Sequence, residues 1–225
     1  MNRTMRRWVR AAALVGSICM AAGAISCGSK TGGAPGANGG TLVEIQGSVT
    51  LNGQPATAKR ALVAGDTVKV PKGALARIEY TDGTRFLLLG RGDSGSELTI
   101  GKEAQEAGVN VMLARLTRGL VSFVVRSGKQ QTRYEIEAMS SLTVVRGTQG
   151  KVQTGPDGDL VALKEGSVEV ISKPLKTNLE LKEGFQVMVE PGGAFGAPKA
   201  YDFSESSERE LFDAAPLRMK TLGGN

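Results

Sequence analysis

The residue types that could do chemistry in this chain are few. Its 225 residues include no histidine and two cysteines, Cys19 and Cys27, both near the N-terminus. Without an imidazole the chain cannot build a Ser-His-Asp triad, a Cys-His dyad or a histidine-ligated zinc or iron site. Paired carboxylates such as Asp82 and Asp93 are left for acid–base chemistry, but their positions in the sequence match no catalytic motif. The sequence therefore predicts a protein that is not an enzyme, with no metal and no cofactor.

Two glycine-rich segments resemble nucleotide-binding loops in part. Residues 90–95 match G-x-G-x-x-G, but the alternating segment 96–100 follows where the dinucleotide motif requires a helix. Residues 147–151 resemble a phosphate loop, but valines stand at its first glycine position and at its magnesium-binding hydroxyl position. The first segment is therefore predicted to be a loop that binds no nucleotide, and the second gives no support for kinase or ATPase chemistry.

The net charge of +6 is concentrated at the N-terminus. Four arginines, at positions 3, 6, 7 and 10, are the only charges in the first 26 residues, and 24 basic residues against 22 acidic ones follow. This balance, with few aromatic residues, provides no basic patch for nucleic acid. We therefore expect no nucleic-acid partner.

The first 26 residues have the pattern of a signal peptide, since the arginines precede an uncharged stretch at 11–25 that is short for a membrane span. Residues 24–27 resemble a bacterial lipobox, which predicts signal cleavage between Ser26 and Cys27 and a lipid on Cys27. An ordinary signal peptide cleaved nearby is the alternative. Residues 27–40 are glycine-rich and predict a flexible tether. The expected location is the periplasmic side of the cell envelope, at the outer membrane in a Gram-negative host because Gly28 follows the cysteine.

Residues 41–194 alternate between apolar and polar side chains, and Asn-Gly, Asp-Gly and Pro-Gly turns interrupt the pattern. The pattern predicts an all-β body of many short antiparallel strands and hairpins, arranged as a β-sandwich or as a short β-helix-like stack. Two short segments, 102–107 and part of 111–118, are helical candidates within it. Residues 195–225 are predicted to be a tail, with a short helix that begins at a capping box formed by Ser207 and Glu210.

The order of several short motifs is similar to that of the FecR family of periplasmic signalling domains. The resemblance covers about residues 43–193 and includes the Tyr-Thr-Asp-Gly-Thr turn at 80–84 and a Leu-x-Glu-Gly-x-Val phrase at 163–168. Its most specific motif is Val145-Arg146-Gly147-Thr148. Gly147 is interpreted as a turn residue, and Arg146 is expected to pair with a carboxylate inside the fold rather than to bind a ligand.

The resemblance implies a non-enzymatic β domain that relays a signal. The best-understood relatives connect an outer-membrane transporter to a sigma factor and use a cytoplasmic helical region that this sequence does not show. We therefore expect a lipoprotein that binds another envelope protein, such as a transporter or a membrane regulator, in a signalling or regulatory role. Capture of an extended segment at an exposed sheet edge is a plausible mechanism. The alternative is a structural or glycan-contacting envelope module.

Overall fold

The computed structural model describes residues 40–126 and 132–202. These residues form strands and turns and contain no helix, so the predicted all-β class is confirmed. The strands of the first half are β1 (Thr41–Gln46), β2 (Thr50–Leu51), β3 (Gln54–Pro55), β4 (Arg60–Ala61), β5 (Thr67–Val70), β6 (Leu75–Glu79), β7 (Arg85–Leu89), β8 (Ser96–Glu106) and β9 (Val109–Val124). Those of the second half are β10 (Thr132–Glu137), β11 (Ser141–Val145), β12 (Gln149–Gly155), β13 (Gly158–Glu165), β14 (Ser167–Ser172), β15 (Asn178–Lys182), β16 (Phe185–Val189) and β17 (Lys199–Ala200).

The strands form two sheets that pack face to face. Sheet I has the order β4–β1–β6–β7–β9–β12–β13–β16–β17. Sheet II has the order β3–β2–β5–β8–β9–β10–β11–β14–β15. All these pairings are antiparallel except that of β9 with β10. Of the two predicted arrangements the described residues form the β-sandwich, whereas a β-helix would stack parallel strands.

Strand β9 belongs to both sheets. Its N-terminal part pairs with β8 and β10 in sheet II, and its C-terminal part pairs with β7 and β12 in sheet I. Gly119 lies at the change of sheet with φ of 83°, in the left-handed region that favours glycine. The C-terminal part of β9 therefore crosses into sheet I before the chain returns to sheet II. There β10 runs parallel to the N-terminal part of β9.

The core lies between the sheets and follows the period-two pattern. Inward side chains of both sheets form one hydrophobic cluster, with Phe86 and Phe123 from sheet I and Ile136 from sheet II among its fully buried members. Tyr80 of sheet I lies edge-on to Tyr134 of sheet II, with ring centroids 5.2 Å apart. Burial of these alternating side chains is the main force that holds the sheets together.

The two helical predictions in the body are wrong. Residues 102–107 lie mostly in β8 and residues 111–118 lie in β9, which pair with each other around a tight turn at Ala107 and Gly108. Met112, Ala114 and Leu116 are buried while the residues between them face outward. Cross-strand pairing and this alternate burial override a weak local helix preference.

Sheet I extends past residue 194, since β17 pairs with β16. The predicted signal peptide, most of the tether and the tail helix lie outside the described residues. In the part of the chain that the structure describes, no helix is long and apolar enough to span a membrane.

Candidate functional site

The outer face of sheet II carries a groove of about 700 Å³ across four neighbouring strands, β10, β11, β14 and β15. Most of the residues that face it alternate along these strands. Its lining is Arg133, Glu135, Leu142, Val144, Arg146, Ser167, Val168, Glu169, Ile171, Asn178 and Glu180.

The strand register places these side chains in rows across the groove. Val144 lies opposite Glu135 on β10 and opposite Glu169 on β14, and Glu169 lies opposite Glu180 on β15. The next row contains Leu142 opposite Ile171, both half-buried. The groove thus has an apolar floor and a row of three carboxylates.

The two arginines that line the groove differ in their contacts. Arg133 is held by Glu106 at 2.6 Å and by Glu135 at 2.7 Å. Arg146 is exposed and forms no ion pair with any described carboxylate, so its predicted partner inside the fold is not found. Its guanidinium is therefore available to an acidic group from outside the domain.

The rim of the groove is fixed by a second group of ion pairs. Glu137 bonds Lys173 at 2.7 Å and Arg115 at 2.9 Å. Burial raises the pKa of the Glu137 carboxyl, but hydrogen bonds from Lys173 and Arg115 outweigh burial, so its pKa lies below the usual range. The three side chains connect β9, β10 and the turn after β14 as one charged cluster.

Strand β15 forms a free edge beside the groove. Within the described residues it pairs only with β14, and Ser172 N–H donates to the Thr177 carbonyl at 2.8 Å. Hydrogen-bonded and non-bonded residue pairs alternate along an antiparallel ladder. Asn178, Glu180 and Lys182 therefore direct their backbone N–H and C=O groups towards the free edge. The side chains of Asn178 and Glu180 also line the groove, so the edge and the groove form one surface.

A buried carboxylate holds the turns at one end of this surface. Asp159 is fully buried and accepts hydrogen bonds from Ser140 N–H at 2.7 Å, from the Ser141 hydroxyl at 2.8 Å and from the Thr154 hydroxyl. Lys173 N–H donates to the Ser140 carbonyl at 2.9 Å. The ends of β11, β12, β13 and β14 are thereby fixed relative to one another.

The two carboxylates that the sequence offered for acid–base chemistry do not meet. Asp82 lies in the turn before β7, where it accepts from the Tyr134 hydroxyl at 2.8 Å and from Thr84 N–H. Asp93 lies in the loop after β7 and pairs with Lys72. Burial and the nearby Asp82 raise the pKa of the Tyr134 hydroxyl, which therefore remains a donor. The described residues contain no cluster of acidic and cysteine side chains that could hold a metal ion.

The predicted loop at residues 90–95 connects β7 to a strand, β8, and not to a helix. A Cβ at Gly90 would overlap the Pro71 carbonyl, so this glycine permits close approach of two turns. The dinucleotide motif is therefore not completed.

Comparison with known proteins finds a family match within this chain. The family model of the FecR protein matches residues 66–169, from the residue before β5 into β14. The chain contains a FecR domain. The matched range includes the whole of β9, β10 and β11, whereas β15, with its free edge, lies beyond it.

No curated protein sequence matches the chain. It is similar to two crystal structures of a proposed anti-sigma factor from Parabacteroides distasonis ATCC 8503, at 1.65 Å and 2.50 Å resolution. Each comparison has a TM-score of 0.49 and 19% identity and covers 60% of either chain. The chain therefore spans less than two thirds of the length of these structures.

The four residues of the family motif lie at a change of sheet in the FecR domain. Val145 ends β11 in sheet II, and Gly147 has φ of 61° before β12 begins in sheet I. Thr148 is buried, and its carbonyl accepts from Val125 N–H at 2.9 Å. Three motif residues thus turn the chain, while Arg146 faces the groove.

Sequence reasoning found Arg146 but missed the rest of the groove. The one sequence feature that points to the groove residues is the alternation of charged residues along β10 and β14. This alternation marks one face of each strand but does not show that the strands are close. Ser26 and Cys27, the predicted cleavage and lipidation sites, lie outside the described residues, and their roles remain predictions.

Proposed function

We propose that this protein is a non-enzymatic lipoprotein of the bacterial cell envelope whose FecR domain binds another envelope protein in a signalling or regulatory role. The kind of partner expected is a transporter or a membrane regulator. The proposal is supported by the FecR match and, above all, by the free edge of β15 beside the groove.

The edge and the groove suit an extended segment of a partner. Such a segment adds a strand by pairing with the unpaired backbone groups of β15, which gives affinity with little dependence on sequence. Alternate side chains of the segment then lie over the groove. Glu169 and Glu180 favour a basic side chain there, the apolar floor favours an aliphatic one, and Arg146 favours an acidic one.

The other sheet edges are less suited to this role. Strands β3, β4 and β17 have two residues each, and β3 ends in Pro55, which has no N–H to donate. Short edges and proline are common means by which proteins limit edge pairing. The five-residue β15 is the longest outermost strand among the described residues.

Proline at position 180 tests the proposal. The Glu180 N–H points to the free edge, so Glu180→Pro removes a donor to the partner while the β14 ladder keeps its hydrogen bonds. A photo-crosslinker placed at Glu169 in the full-length protein, in its native envelope, captures the partner, and mass spectrometry identifies it. We expect capture to be lost in Glu180→Pro and retained in Glu180→Ala, with the same circular dichroism for both variants.

Equal capture by both variants would reject the β15 edge as the binding surface. Capture of peptidoglycan or of abundant envelope proteins alone, insensitive to proline, would favour the structural or glycan-contacting module. Capture of a transporter or membrane-spanning regulator that depends on the edge supports the signalling role.

A further inference from the structure

The outer face of sheet I carries a hydrophobic cluster that is separate from the core. Leu87 and Leu120 form it, with the half-buried Leu75 and Leu89 packed against them, and we call these four residues the leucine patch. Leu89 lies opposite Leu75 on β6 and opposite Leu120 on β9. Although Leu87 and Leu120 point away from the sandwich interior, they are 6% and 1% exposed. An outer sheet face in contact with water exposes its central side chains far more than this.

The patch continues into two buried polar side chains. Ser122 lies opposite Leu87 on β7 and opposite Lys151 on β12. The Ser122 hydroxyl is buried without a hydrogen-bond partner among the described residues, and Lys151 is 3% exposed. A buried hydroxyl without a partner is destabilising, so a covering segment that offers it a donor or an acceptor would stabilise this site.

The described chain ends on this same face. After β17, the Tyr201 hydroxyl accepts a hydrogen bond from Lys151 Nζ, which also lies 4.4 Å from the centroid of the Tyr201 ring. Lys151, Ser122 and Leu87 stand on adjacent strands, so Tyr201 lies roughly 10 Å from the patch at ~4.8 Å per strand. The nine residues that follow Asp202 could span ~13 Å as a helix or ~30 Å when extended.

The residues after Asp202 have the composition of a segment that covers such a face. Phe203, Leu211 and Phe212 are apolar, and the capping box at Ser207 and Glu210 predicts a short helix that places Leu211 and Phe212 side by side. Residues 203–213 contain four acidic side chains against one arginine, whereas the row through Leu87 and Ser122 ends in the cation Lys151; Arg77, at the other end, is already paired with Glu44 at 3.1 Å. Both apolar contact and charge favour this pairing.

We propose that the C-terminal segment 203–217 of this same chain docks on the outer face of sheet I, with Leu211 and Phe212 on the leucine patch. Burial of these two apolar side chains stabilises the docked state and offsets the cost of ordering the segment. This site is on the opposite sheet from the β15 edge and does not depend on the proposed function.

Disulfide capture in the full-length chain tests the docking. In a Cys19→Ser, Cys27→Ser background, Gln153→Cys lies on the outer face of sheet I opposite Leu120, and Asp213→Cys lies beside the two docking side chains. The matched control replaces Gln153→Cys with Glu169→Cys on the outer face of sheet II. Under mild oxidation we expect an intramolecular disulfide in the first pair, on the order of tenfold or more above the control pair, because docking raises the local thiol concentration.

Adding Leu211→Asp and Phe212→Asp should reduce the yield of the Gln153→Cys pair to that of the control. Equal yields for both pairs would overturn the proposal, as would a yield that these aspartates leave unchanged. A disulfide that forms between two molecules would also overturn it and would assign the face to a second copy of the chain.

Discussion

Single residues at the end of the groove hold several turns in place, and Asp159 is the central one. Asp159→Ala removes the acceptor of three buried donors, each costing about 1–3 kcal/mol when unpaired. We expect the free energy of unfolding to fall by about 3 kcal/mol or more, measured by urea denaturation. Asp157→Ala, an exposed change in the same turn, is the control and should stay within about 0.5 kcal/mol of wild type. Similar losses for both variants would contradict this role.

The ion pairs of Glu137 make the free energy of unfolding depend on pH. Its pKa is lower in the folded protein than the ordinary value of 4.5, so its contribution to stability is present above about pH 4.5 and is lost as the pH falls through the folded pKa. We therefore expect the difference in unfolding free energy between wild type and Glu137→Gln to be largest near neutral pH and to shrink in acid. Urea denaturation at several pH values measures it, and a difference that does not change with pH would refute the ion-pair account.

At the scale of elements, the passage of β9 from one sheet to the other depends on Gly119. A Cβ there would overlap the Ser96 hydroxyl and the Gly95 carbonyl, and φ is positive. The Ser96 hydroxyl also accepts a hydrogen bond from Leu120 N–H at 2.8 Å. The overlap would therefore disturb a hydrogen bond at the point where β9 changes sheet. Gly119 therefore allows one strand to serve both sheets.

The matched test is Gly119→Ala against Gly108→Ala. Gly108 also has positive φ, at 82°, but a Cβ there would meet nothing within 4 Å. We expect about 1–2 kcal/mol of destabilisation for Gly108→Ala from backbone strain. Gly119→Ala should cost about 1–3 kcal/mol more because of the overlap. Chemical denaturation measures both, and equal costs would show that β9 tolerates a side chain at the corner.

At the scale of the whole molecule, the proposed lipid on Cys27 would hold the FecR domain at a membrane surface. A lipid-modified protein fractionates with membranes, although its described residues contain no membrane-spanning helix. We expect Cys27→Ser, expressed in a Gram-negative host, to move the protein from the membrane fraction to the soluble fraction, and Cys19→Ser to leave it with the membrane. Immunoblotting of the two fractions measures the shift. Retention of the Cys27→Ser protein in the membrane would favour an uncleaved N-terminal anchor.

Much of the fold could be predicted because its signals are local. The alternation of Ala76, Ile78 and Tyr80 predicted a strand, and Asn52-Gly53 predicted the hairpin between β2 and β3, where both residues have positive φ. Residues 102–107 and 111–118 were the exception. Their strand conformation depends on the pairing of β8 with β9, which a short window does not contain.

The groove could not be predicted because its residues are distant in sequence. Glu135 and Glu180 are brought into one row by three successive strand pairings. The strand pattern of β15 was readable, but the absence of a further described neighbour depends on where every other strand pairs.

The sequence alone determined the exclusion of histidine chemistry, the alternating strands and the order of motifs that indicates a FecR domain, because composition, side-chain periodicity and turn residues act over a few positions. Tertiary structure decided the division into two sheets, the sharing of β9, the exposure of Arg146 and the free edge beside the groove. These features depend on register and on burial between segments far apart in the chain, and both arise only when the sheets pack together.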